Sequence, residues 1–183
     1  MNCLKSVRFI RDFGTVRLAM VSISAVPVFF VLFEAFCLNI HPNIQLSPFK
    51  LPIFLAVLLI VYPLHKICHC LPLWACGKMA TLSLEVNANK FPIMFCNLKG
   101  PVSRNTALAC VGFPIAAVSA LTIAAAFLLP QWLHYFSIIG SLNFGMSMSD
   151  CLYMTYLLKA SAKTFVEDDR EGFHILVQTY KSH

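Results

Sequence analysis

Apolar residues fall in four long runs, separated by two short polar breaks and one longer mixed segment. The first covers residues 16–40, with Arg17 at its edge and Glu34 inside it. The second, 51–75, carries His65, Lys66 and His69. The third, 106–129, holds no charged residue, and the fourth, 131–158, holds His134 and Asp150. Each run reaches the roughly 20 residues that a helix needs to cross a bilayer. The breaks at 41–50 and around Pro130 are short, which predicts antiparallel neighbours: helix one beside two, and three beside four.

Residues 76–105 follow a different rhythm. Leu82, Leu84 and Val86 alternate with Thr81, Ser83 and Glu85, the period of a half-buried strand. Asn87-Ala88-Asn89 supplies a turn. Phe91 to Phe95 returns, with Pro92 confining it to an edge. The tail, 159–183, is polar and carries Glu167, Asp168, Asp169, Arg170 and Glu171 before the run Phe173–Val177. It reads as a solvated turn leading into a short strand or helix. The predicted fold is therefore an all-α membrane protein. Four transmembrane helices and a small cytoplasmic β-hairpin between helices two and three form one membrane domain over 1–183.

Composition agrees. Of the 183 residues, 58% are hydrophobic and 12% charged, against about 45–50% and about 25% in soluble domains. The first apolar run is too long for a signal peptide and is followed by no small-residue cleavage site. Lys and Arg cluster before the first run, between the second and third, and after the fourth, whereas the opposite side has only Lys50. That bias places both termini and the 76–105 loop in the cytoplasm. It also accounts for the net charge of +6, so the charge points to topology and anionic lipid rather than to nucleic acid. None of the eight cysteines sits clearly in an outside loop, and no structural disulfide is expected.

Ionisable groups inside a membrane are costly and usually face partners in the bundle interior. His65 and His69 are four residues apart, so on a helix they stack on one face. Asp150 lies nine residues before Lys159 and His69 nine before Lys78. Both are thus about 14 Å from the same membrane flank. Two His and one carboxylate form a known catalytic zinc set with an open fourth position. Cys68 lies on nearly the same face as His65 and is an alternative soft ligand. The simpler use of the two His is hydrogen bonding between helices. Glu34 has Lys50 or His41 as candidate partners. Asn143, Gly145, Ser147 and Ser149 crowd the turns before Asp150, a composition that also serves close helix packing.

His-x-x-x-His in one membrane helix, with an Asp in a later one, resembles the site-2-protease type of intramembrane zinc metalloprotease. The plan from about Leu51 to Val177 is similar to a zincin-peptidase family of small bacterial membrane proteins. The resemblance implies a bacterial cell membrane. It also implies that Asn143 and Ser149 help position Asp150, and that the edge formed by Leu82, Leu84 and Val86 holds an extended membrane-protein segment. The family reads His-Glu-x-x-His, its Glu taking a proton from metal-bound water. Lys66 stands at that Glu position here. Three readings follow. Zinc binds through His65, His69 and Asp150 while hydrolysis is lost. Or no metal binds and Lys66 pairs with Asp150. Or a neutral Lys66 is the base of an active peptidase. The first two readings make the protein a binding or regulatory pseudoprotease and the third an active membrane peptidase; an accessory subunit of a membrane complex is a separate alternative.

Overall fold

The computed structural model describes residues 2–8, 14–86, 92–98, 100–161, 164–169 and 172–177. In chain order these form β1 (Asn2–Arg8), α1 (Thr15–Ile40), α2 (Leu51–Ala75), β2 (Ala80–Val86), β3 (Pro92–Leu98), β4 (Val102–Ser103) and α3 (Arg104–Leu128). A 3-10 turn (Pro130–Trp132), α4 (Leu133–Lys159), β5 (Phe165–Asp169) and β6 (Gly172–Val177) complete the order.

Helices α1, α2 and α3 are long and apolar enough to cross a membrane. Helix α4 has 27 residues, enough length to span, but it is too polar to qualify by composition. The expectation of four apolar spans therefore narrows to three. The reason is packing: α1, α2 and α3 all lie against α4. Its Ser137, Ser141, Asn143 and Ser147 are buried, while Ile23, Leu59 and Leu128 project outward from the helices around it. Apolar surface faces out and small polar residues face in, as a bilayer solvent favours.

The first helix does not pack beside the second as its short connection predicted; its principal neighbour is α4. Glycine explains the choice. A Cβ on Gly145 would stand 2.5 Å from a Val26 methyl and 2.9 Å from the Ser22 carbonyl, and one on Gly140 would meet the Phe29 ring at 3.2 Å. These two glycines open α4 to close approach, and Phe29 stacks on Phe144 beside them. The ten-residue connection 41–50 is long enough, when extended, to carry the chain past α4. It is tied there by Tyr135, whose hydroxyl accepts from the Lys50 amide at 2.6 Å and donates to the Lys50 carbonyl at 3.2 Å.

At the other end lie two small sheets. Strands β2 and β3 form the expected antiparallel hairpin, Leu82 facing Cys96 and Leu84 facing Met94 in register. Asn87-Ala88-Asn89 and Phe91 lie outside the described residues. The hairpin packs on α2, and Trp74 Nε1 donates to the Ala80 carbonyl at 3.0 Å. The second sheet, ordered β1-β6-β5-β4, corrects the all-α expectation. The acidic residues Glu167, Asp168 and Asp169 belong to strand β5 rather than to a turn, and β6 pairs with β1 at the start of the chain. Where β4 runs into α3, Ser103 Oγ accepts from the Thr106 amide at 3.2 Å and caps the helix. Arg104 then donates to the Leu157 and Leu158 carbonyls at 2.8 and 3.1 Å, placing a cation on the negative end of α4.

Candidate metal centre

Three side-chain atoms from two helices converge inside the bundle. His65 and His69 sit one turn apart on α2, and Asp150 comes from α4. His65 Nε2 lies 3.2 Å from Asp150 Oδ2, His69 Nε2 lies 3.4 Å from the same oxygen, and the two Nε2 atoms are 3.3 Å apart. The expected trio is thus brought together by the fold.

The outward ring nitrogens fix the tautomers. A carbonyl oxygen can only accept, so the Cys110 carbonyl, 2.9 Å from His69 Nδ1, requires a proton on that nitrogen. The Pro114 carbonyl is 3.3 Å from Asn143 Nδ2, which turns the amide so that Oδ1 faces His65 Nδ1 at 2.9 Å. His65 Nδ1 therefore donates as well. In the neutral Nδ1–H form of each imidazole, both Nε2 atoms present lone pairs to one carboxylate oxygen, and Asp150 Oδ2 is buried without a hydrogen-bond donor. Three acceptors at such spacing repel one another unless a cation lies between them.

A divalent metal fits this donor set. Zinc binds imidazole nitrogen and carboxylate oxygen at about 2.0–2.1 Å in tetrahedral geometry, which makes each ligand–ligand edge about 3.3–3.4 Å. The three observed edges, 3.2, 3.3 and 3.4 Å, match one face of such a tetrahedron. His65 is 3% exposed, His69 14% and Asp150 18%, so the remaining side is reached past His69 and Asp150.

Pro114 and Cys110 were not singled out by sequence, and the signal was a proline. Pro114 has no amide hydrogen, so the carbonyl four residues earlier, that of Cys110, loses its helical donor. His69 takes that vacancy. The carbonyl of Pro114 itself orients Asn143, so one proline inside α3 anchors both histidines.

The other candidates divide. Asn143 contacts His65 Nδ1 at 2.9 Å, so it bears on His65 rather than on Asp150. The Ser149 hydroxyl donates to the Met146 carbonyl of its own helix at 3.0 Å. Cys68 is buried but outside the ligand group. Lys66 makes no hydrogen bond or ion pair among the described residues, and the ion-pair contacts of Asp150 are with the two histidines. The pairing of Lys66 with Asp150 is thereby overturned: Lys66 is the residue after His65 and points about 100° away from it around the helix. Glu34 pairs with neither Lys50 nor His41; its Oε1 is buried without a partner, and the Lys50 ammonium lies over the Trp132 ring. Leu82 packs beside the buried cluster around Cys70 and Cys110, whereas the side chains of Leu84 and Val86 lie outside the described residues.

Fold and centre define a class: a helical membrane protein with a His–His–Asp group close enough to hold a metal ion. A family model described as "Putative zincin peptidase" matches residues 58–165, more than half of the chain and a stretch that contains all three ligand candidates. The chain belongs to that family. No curated protein and no solved structure matches it.

Proposed function

We propose that this protein binds zinc through His65, His69 and Asp150, and that it acts on membrane-protein segments as a binding or regulatory pseudoprotease. The observation that carries the reading is the face of three acceptor atoms, each edge within about 0.2 Å of the zinc tetrahedron. A zinc ion held there supplies Lewis acidity toward an oxygen at its open position. Hydrolysis also needs a side chain that takes up a proton. In the family motif that is the Glu after the first His. Lys66 occupies that position here in place of a carboxylate, so the centre binds but does not turn over.

The surroundings support a membrane segment as the bound partner. The β2–β3 pair is two-stranded, so β2 keeps an edge without a strand partner among the described residues, and an extended segment can add to it. We further infer that α4 crosses the membrane with the other three helices. The sheet-bearing end then faces the cytoplasm, since Lys78, Arg104 and Lys159 lie at that end and Lys50 at the other. A cell-membrane location and cytoplasmic termini follow.

The test is a cleavage assay on the zinc-loaded protein in detergent, using a transmembrane reporter substrate. Wild type should show no turnover above the zinc-free protein, while Lys66→Glu should introduce it. Wild-type cleavage lost in His69→Ala would instead establish an active peptidase and refute the pseudoprotease reading.

A further inference from the structure

Each of the four helices carries one Lys or Arg. Arg17, Arg104 and Lys159 sit in an end turn, within reach of water and headgroups. Lys66 does not. It stands fifteen residues from Leu51 and nine from Ala75, the two ends of α2, or about 22 and about 14 Å along the axis. The four-carbon stem of a lysine covers neither distance, and its Cα–Cβ bond tilts toward the helix N-terminus, the farther end. Snorkelling, the ordinary escape of a membrane lysine, is closed to it.

Lys66 does not turn inward either. Leu59, seven residues earlier and so on the same face of α2, is 76% exposed. Phe113 of α3 lies level with Lys66, three residues beyond the Cys110 carbonyl that meets His69, and it too is exposed. Lys66 itself is half-buried and has no hydrogen-bond or ion-pair partner among the described residues. Charged or neutral, its amine lacks an acceptor, and such groups inside a bilayer pair.

The chain does not supply that acceptor. The carboxylates within the four helices are Glu34 and Asp150. Asp150 is engaged by His65 and His69. Glu34 stands six residues from Ile40, the outer end of α1, or about 9 Å, against about 22 Å for Lys66 from the same side. A second copy lying alongside therefore does not bring the two level. Lipid phosphates stay at the membrane surface, beyond the stem.

We propose that the face of α2 bearing Lys66 docks a membrane helix of another protein, and that Lys66 hydrogen-bonds to an Asp or Glu carboxylate carried mid-membrane by that helix. The inference rests on the reading of this protein as a binder of membrane segments, and it names the segment taken. That segment is apolar, to suit Leu59 and Phe113, with one acidic residue about nine positions from its cytoplasmic end. No metal ion is needed for this contact.

The experiment places the full chain in phosphatidylcholine vesicles with a synthetic Leu/Ala transmembrane helix that carries one Asp at that depth. A matched helix has Leu there instead. Energy transfer from a dye on the peptide to one on a C-terminal tag of the protein reads binding. Wild type should bind the Asp helix about tenfold more tightly than the Leu helix, the worth of one hydrogen bond between membrane helices. Lys66→Met, similar in length but without the amine, should bind both helices alike. Its unfolding midpoint should be no lower than that of wild type, because an amine without a partner in the chain adds nothing to the fold. Equal affinity of wild type for the two helices, or an Asp preference that persists in Lys66→Met, would overturn the proposal while leaving segment binding standing. A destabilised Lys66→Met protein would also overturn it, by revealing a partner within the chain. A wild type that binds neither helix would overturn the segment-binding reading and this inference together.

Discussion

Replacing Pro114 with alanine should weaken metal binding without weakening the fold. The substitution restores an amide hydrogen at position 114, whose helical acceptor is the Cys110 carbonyl. That carbonyl now accepts from His69 Nδ1 at 2.9 Å. The restored helical bond draws it back along the helix axis, away from the imidazole, and shifts the Pro114 carbonyl that orients Asn143 at 3.3 Å. Both histidines lose their outer support. Losing such support costs about 10–100-fold in metal affinity, or about 1.4–2.8 kcal/mol. Alanine in a helix interior is favoured over proline by up to about 3 kcal/mol, so the metal-free protein should be as stable as wild type or more so. Opposite signs for the two quantities set this apart from general damage. Zinc competition against a chromophoric chelator at fixed pH reads the first, and thermal unfolding of the metal-free protein in detergent reads the second. A folded Pro114→Ala protein with zinc affinity within twofold of wild type would refute the reasoning.

Further outcomes follow from the same geometry. Asn143→Ala removes the acceptor that holds His65 Nδ1 and strands the Pro114 carbonyl; zinc affinity should fall by about 10–100-fold and the unfolding midpoint should drop, whereas an unchanged affinity would detach Asn143 from the centre. Gly145→Ala drives a methyl against the Val26 side chain and Ser22 backbone and should destabilise the bundle by about 1–3 kcal/mol. Gly112→Ala meets only the flexible end of Met154 at 3.1 Å and should be nearly silent; equal effects in the two would contradict the α1–α4 contact. Zinc affinity should fall as pH falls, because protons compete with the metal for the same Nε2 and carboxylate lone pairs. An affinity flat with pH would point away from imidazole ligands.

The helices were legible because a bilayer imposes one simple rule on sequence. The runs at 16–40, 51–75, 106–129 and 131–158 lie within about two residues of the observed helices, the usual uncertainty of helix ends. Depth matching against Lys78 and Lys159 brought Asp150 to His65 and His69, since helix rise converts residue counts into distance. The β2 hairpin was legible from its alternation. What escaped was long-range. Strand β1 pairs with β6 near the far end of the sequence, and nothing local in Asn2–Arg8 announces that partner. Gly140 and Gly145 advertise a close approach without saying which helix makes it, so α1 was placed beside α2. Ser149 and Ser147 look alike in sequence. Only the structure separates the hydroxyl bonded to its own helix from the one left free. Lys66 was legible in identity but not in direction, and its place outside the ligand face removes the reading in which it pairs with Asp150.

The account rests on a metal ion at the His65–His69–Asp150 centre. Elemental analysis of the purified, detergent-solubilised protein, wild type beside His69→Ala, tests it most directly. The prediction is near-stoichiometric zinc in wild type and its loss in the variant. No metal in either protein, or equal zinc in both, would contradict it.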